Sequence, residues 1–489
     1  MKRHLIFSLL SLVCIAFGCS EEYLEEVSTF KGPLTTRSEV VSGYNTEATL
    51  SSYNPALKTR LLQHFGDKKF SVQKVSKDNS PLLEVLNFEG GGWAIVDGEE
   101  DDADQILAYG RDGFFDAERI TSPEVAFWFR MIQDQLSHDK AKSSSLKAKD
   151  AGGQTRSFQI DYNLDYYWVR LPIDPLFSQD TSGVDHLLQT KWGQGEPWNY
   201  KCPIDSIYNP NEHITCPTGC VAVAISQILY YLHFNIGWPL ALYHTIVPDY
   251  YYSYHYIGGG LYRYYYFNNL QRLDAVSPSP RWNAMALDKG DGTQTLATEY
   301  VGDLMIDVGQ VTDMKYHFWG SGTVELPEHF SYFGINCYQG LYAFNTVKEQ
   351  LLDEQPVLIS GSDGTTGHAW VIDGYRQEID TTQNRYQWLL IPPDSLSYYP
   401  NINYDYVLTE QQKQSRYPNI QEFDIEYENP TVVRRDYLRM NWGWDGEYDQ
   451  GNYMLYPNYY SNSIPAWSNG NDVLPFAYSL KIIYDFQEL

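Results

Sequence analysis

One stretch constrains this chain more than any other: residues 216–230, which read Cys-Pro-Thr-Gly-Cys followed by Val-Ala-Val-Ala-Ile-Ser-Gln-Ile-Leu-Tyr. A glycine-containing turn delivers Cys220 to the first turn of a small and apolar run with no breaker before Asn235-Ile236-Gly237-Trp238-Pro239. That is the pattern of a buried helix. Unpaired backbone N–H groups and the positive end of the helix dipole then surround the sulfur, and both favour thiolate over thiol. A structural cysteine at a helix start is the plain alternative, because free cysteine is among the most buried residue types. The other residues of the chain decide between the two.

A thiolate nucleophile needs a base, commonly a histidine brought in from elsewhere in the fold. The chain offers Gly367-His368-Ala369-Trp370-Val371-Ile372-Asp373-Gly374-Tyr375. Glycine, histidine and then an apolar strand place the imidazole at a strand start, where glycine lets another backbone approach closely. Further on, Asn441-Trp442-Gly443-Trp444 supplies an amide to accept from the histidine and indoles to keep water off that bond.

At 489 residues the chain is long enough for two or more domains, each with a core of its own. The formal net charge of −27 argues against nucleic acid, whose partners carry basic footprints. Of the 6 cysteines, Cys14 and Cys19 fall in the leader. Those remaining, Cys202, Cys216, Cys220 and Cys337, are too few for a disulfide scaffold of this size. A Cys202–Cys216 bridge stays open. Cys216 and Cys220 lack the second spaced pair of ligands that a closed zinc site needs, so no metal site is expected.

Residues 1–18 have a basic start at Lys2 and Arg3 and an apolar run over residues 5–17, the layout of a secretory signal too short to span a membrane. Ala16-Phe17-Gly18-Cys19 resembles a bacterial lipobox, with Cys19 the residue to be lipidated and Ser20-Glu21-Glu22 an acidic run behind it; cleavage near Gly18 and release as a soluble protein is the alternative. Residues 85–88, 93–96 and 105–109 read as short strands joined by turns at Gly90-Gly91-Gly92 and Asp97-Gly98. Residues 99–104 form an acidic loop, read as a solvated turn with calcium as the other possibility, and residues 125–136 have helical periodicity. Residues 140–157, rich in Lys, Ser, Ala, Asp and Gly, read as an exposed linker open to proteolysis and as a domain boundary. Residues 243–267 are crowded with tyrosine around Gly258-Gly259-Gly260 and read as a surface loop or hairpin, its aromatics packed at a rim or contacting sugar or substrate. Residues 351–375 and 437–455 read as strands with sharp turns.

The order Gln194, Thr218-Gly219-Cys220-Val221-Ala222, Gly367-His368-Ala369 with Val371-Ile372-Asp373-Gly374-Tyr375, and Asn441-Trp442-Gly443-Trp444 resembles the streptopain family of bacterial papain-like cysteine peptidases. The likeness extends through Trp282-Asn283-Ala284-Met285, residues 304–309 and Pro356-Val357-Leu358. The resemblance implies an α+β fold, with a two-lobed papain-like domain over residues 158–489 that puts Cys220 on a helix and His368 on an antiparallel sheet. It implies that Cys220 is the nucleophile, His368 its acid–base partner and Gln194 an oxyanion-hole donor beside the Cys220 N–H. By the same likeness Trp442 packs on the histidine, Asn441 is a further candidate to orient it, and Thr323 and Gly367 line the cleft for substrate backbone. Residues 20–139 are similar to the inhibitory propeptides of these zymogens, folded against the catalytic domain and removed by a cut in residues 140–157. The expectation is an exported cysteine endopeptidase, secreted or surface-tethered and made as a zymogen, acting on proteins or peptides, with no cofactor and no nucleic acid partner, touching membrane only through a candidate N-terminal lipid anchor. Residues 243–267 and 377–428 look like insertions. The rival functions are a surface-binding lipoprotein on a relic peptidase fold and a transglutaminase-like acyl transferase.

Overall fold

The computed structural model describes residues 39–48, 50, 53, 55–77, 80–98, 106–150, 159–205, 214–240, 250–257, 260–267, 280–318, 320–362, 367–399, 403–455 and 479–489. The leader, Cys19, the acidic loop at 99–104 and the end of the expected linker lie outside them.

The chain forms two compact units. The first comprises Met1–His138, Gly183–Arg376 and Tyr437–Leu489, and its backbone is one long antiparallel sheet. Strands Glu39–Ala48, Phe70–Lys77, Ser80–Phe88, Trp93–Asp97 and Ile106–Gly110 pair in sequence order. The edge of that meander then pairs with Gly451–Tyr453, in the register Gly451 to Gly110 and Tyr453 to Ala108. Beyond it the sheet continues through Thr431–Asn441, Gly367–Ile391, Val357–Ser362, Ser479–Glu488 and Ile335–Leu341. The N-terminal meander and the C-terminal strands are thus one sheet, and their edges cap one another, which removes two edges open to aggregation.

The same two segments share a core. Helix Pro123–Asp150 buries Val125, Phe127, Phe129 and Ile132 with Val357, Ile359, Trp370, Ile372, Met440 and Trp442. Gly361 makes room for this contact, since a Cβ there would meet the Phe127 ring at 2.6 Å. A second core, on the helical side, gathers Val221, Ala222, Ile225 and Ile228 of helix Cys220–Tyr231 with Leu304, Met305 and Val308 of helix Leu296–Val311, and Trp192, Trp198 and Trp282 around them. Sheet on one side and helices on the other make this unit α+β, as expected.

The second unit comprises Asp139–Ser182 and Gln377–Asp436, so the insertion expected from residue 377 onward folds with residues 139–182. Val407 and Leu408 pair with Val169 and Trp168. Alternation along that strand sends Tyr167 and Val169 into a cluster with Ile391, Leu396 and Val407. It sends Trp168 into another cluster with Trp388 and Leu408. Arg170 is held by Glu426 and Glu428 and lies 3.4 Å from the Tyr386 ring centroid.

Helix Pro123–Asp150 runs through residues 140–150, where the sequence predicts a linker. Lys, Ala and Leu are good helix formers, and no glycine or proline interrupts before Gly152-Gly153. Residues 250–257 and 260–267 form the predicted hairpin, paired from Gly260–Ile257 to Phe267–Tyr250.

Candidate active site

Cys220 is the first residue of its helix, preceded by Gly219 at φ 93° with no side-chain cap. Glycine is required there. It adopts a φ that other residues avoid, and a Cβ would meet both Met314 and the Ser321 carbonyl oxygen at 2.9 Å. The turn before it is tied from two sides: the Thr218 N–H donates to the Gln194 carbonyl at 2.9 Å, and the Ser321 hydroxyl donates to the Pro217 carbonyl at 2.6 Å. Cys202, Cys216 and Cys337 are buried, whereas Cys220 is only partly so. Burial and the neighbouring Cys216 push the Cys202 thiol up. Burial and Asp205 do the same to Cys216, and burial, with Glu328, pushes Cys337 up to about 12. Those three are poor nucleophiles. Cys220, half-buried at a helix N-terminus, is the thiol placed to react.

His368 is the second residue of strand Gly367–Ile391, paired with Gly361 across the ladder. Gly367 sits beside it, paired with Ser362. The Cys220 sulfur, a His368 ring nitrogen and a Glu124 carboxylate oxygen all lie within 4.8 Å of one another. Glu124 comes from the start of helix Pro123–Asp150 and brings one side chain of the N-terminal segment beside both groups. Its Oε1 accepts from the Gln194 side-chain amide at 3.1 Å and lies 3.8 Å from His368 Nδ1. Its Oε2 accepts from the Ser122 hydroxyl at 3.0 Å. Ser122 also caps the helix by accepting from the Val125 N–H at 3.2 Å. The Glu124 side chain is 0% exposed and that of His368 18%. Phe127, from the same helix, has its ring centroid 5.9 Å from that of His368.

Gly193, the residue before Gln194, is closely packed. The Trp198 indole donates to Asp445 Oδ1 at 2.8 Å, Lys289 pairs with the other Asp445 oxygen at 2.8 Å, and Asp445 packs on Gly193 so tightly that no Cβ fits. The Gln194 amide itself donates to Glu124 Oε1.

Two expected roles are corrected. Asn441 donates to the Thr190 carbonyl at 2.8 Å and accepts from Gln227 at 2.9 Å and from the Gly443 N–H at 3.1 Å. Its amide therefore ties the sheet to the nucleophile helix, through Gln227, and is not the partner of His368. Trp442 is fully buried and packs on Trp370 at 5.5 Å and on Tyr453 at 5.0 Å. It supports the strand that carries His368, while the ring beside the imidazole is Phe127. Thr323 gives its hydroxyl to the Thr312 carbonyl, in the loop that also carries Ser321. Sequence reasoning missed Glu124. Its one local signal is Ser122-Pro123-Glu124, a cap, a proline at the first helical position and an acid in the first turn.

A helix-borne thiol and a strand-borne imidazole within 4.8 Å of one another, with the Gln194 amide donating to the carboxylate beside both, form the arrangement that suits a cysteine peptidase. Residues 192–388 match the model of the Peptidase C10 family. Streptopain of Streptococcus pyogenes is 26% identical over 317 residues, 59% of this chain and 67% of its own length. A thiol protease/hemagglutinin of Porphyromonas gingivalis is 22% identical over 324 residues, 63% of this chain and 33% of that protein. Among solved structures, a prointerpain A fragment from Prevotella intermedia aligns with 85% of this chain and 98% of its own at a TM-score of 0.45 and 16% identity. The family-model match and the two relatives support the streptopain-like family of cysteine peptidases.

Proposed function

We propose that this chain is the zymogen of an exported cysteine endopeptidase, with residues 20–139 as its inhibitory propeptide. The observation that carries the reading is the Glu124 carboxylate lying among Cys220, His368 and Gln194. It occupies the ground a scissile carbonyl needs, and its Oε1 takes the amide proton that the substrate oxygen requires. Once the propeptide leaves, the Cys220 sulfur attacks the substrate carbonyl carbon and the oxygen gathers negative charge facing the Gln194 amide and the Cys220 N–H. His368 protonates the departing amine as the C–N bond breaks, leaving a thioester. His368 then takes a proton from water as the water attacks the thioester, and the acid leaves with the thiolate restored. Thr323 and Gly367 line the cleft for substrate backbone. Lipidation at Cys19 tethers the zymogen, and a cut within residues 140–157 releases the catalytic part.

Time-resolved mass spectrometry of the purified protein without its leader, beside a Cys220→Ala variant, tests the reading. Conversion of the wild type alone to a species starting between residues 140 and 158 supports it, as does peptide hydrolysis after processing by an added protease. A processed protein that hydrolyses no peptide overturns it.

A further inference from the structure

We infer that Glu124, Cys220 and His368 form a binding site for a zinc-class divalent cation, complete only while the N-terminal segment is in place. Each residue offers one ligand atom, and the three atoms lie within 4.8 Å of one another. Zinc bonds of about 2.0–2.3 Å place tetrahedral ligand atoms about 3.3–3.7 Å apart. The Glu124–His368 pair, at 3.8 Å, already has nearly that spacing, and closing the sulfur onto it takes a shift of at most about 1.5 Å.

The donor set selects the metal. One thiolate, one imidazole and one carboxylate suit zinc and its neighbours in the transition series, whereas calcium and magnesium take oxygen shells. Charge closes as well. A thiolate and a carboxylate ligand together balance a divalent cation, and a neutral imidazole completes the set. The groups around the ligands have the form of an outer shell: the Gln194 amide and the Ser122 hydroxyl each donate to a Glu124 oxygen, which fixes the carboxylate's orientation before any metal arrives. Three protein ligands leave a fourth position for water.

Two ligands come from the catalytic segment and one from the helix that begins at Pro123. The cation would therefore bind the unprocessed chain more tightly than the processed one, and by mass action it would hold the N-terminal segment down. That consequence for latency rests on the proposed function; the site does not.

The test is spectroscopic and needs no turnover. The intact full chain, its mass verified and its metal stripped by chelator, is titrated with cobalt(II), with zinc added afterwards as competitor. A sulfur-to-cobalt charge-transfer band saturating at one equivalent is expected, absent in Cys220→Ser and removed by zinc. Glu124→Gln, which keeps shape and fold, should weaken cobalt binding at least tenfold, as should the cut and removal of the N-terminal segment. No band in the wild type, a band surviving Cys220→Ser, or unchanged affinity in Glu124→Gln each overturns the site. Loss of peptidase activity in any variant leaves this reading untouched, so the two hypotheses fail separately.

Discussion

Two histidine–carboxylate pairs, each with one member on strand Gly367–Ile391, are built differently. His186 Nδ1 lies 2.9 and 3.1 Å from the two oxygens of Asp373. The Asp373 side chain also accepts from the Leu188 N–H at 3.3 Å, and its backbone carbonyl accepts from the Leu187 N–H at 2.8 Å. At the start of the strand, His368 Nδ1 stands 3.8 Å from Glu124, outside hydrogen-bond range. The first pair is closed and lies wholly within the catalytic segment, where it pins the chain entering the helical side. The second is loose and its carboxylate belongs to another segment, one that the zymogen reading requires to leave.

The largest expected contrast is in activity. In the processed protein, His368→Ala should lower kcat/KM by about four orders of magnitude or more, as loss of one member of a nucleophile–base unit does. His186→Gln should leave it within about tenfold, because a residue that acts through packing removes no reacting group. Equal losses in steady-state assays would break the distinction between the pairs. Next comes Gln194→Ala, expected to cost about 10²–10³ in kcat with KM little changed, the mark of a donor that works on the transition state. A loss confined to KM would make Gln194 a binding residue only.

Glu124→Ala sharpens the comparison from the other side. It removes hydrogen bonds to a charged group worth about 1.5–3 kcal/mol, so inhibition of the processed enzyme by added N-terminal segment should weaken by about one to two orders of magnitude. Unchanged inhibition would mean that the shared sheet and the Phe127 contact hold the segment without the carboxylate.

The smallest effect is on stability. Burial opposes charge on His186, but the Asp373 charge and hydrogen bond outweigh it, and its pKa is raised. A raised histidine pKa stabilises the fold fully below the unfolded value of about 6.5 and loses that contribution as pH rises through the folded pKa. His186→Gln should therefore lower stability by about 1 kcal/mol near pH 5, and the gap from wild type should narrow as pH rises. Parallel denaturation curves at all pH values would show that the pair is not charged in the folded state.

What the sequence determined by itself is local. Cys220 at a helix start, His368 at a strand start, the short strands of the N-terminal segment and the tyrosine hairpin all follow from residue periodicity and from where glycines fall, because those preferences act over a few residues. The position of the insertion was legible too: residue 377 opens the second unit's later part. Tertiary structure alone decided the rest. Glu124 reads as an ordinary first-turn acid until the N-terminal sheet pairs with Gly451–Tyr453 and carries its helix across the cleft. Asn441 reads as an orienting amide until Thr190 and Gln227 take both ends of it. Residues 139–182 find their partner in residues 377–436, across nearly the whole catalytic segment. A side chain's chemical role depends on what long-range packing sets beside it, and no short window of sequence contains that neighbour.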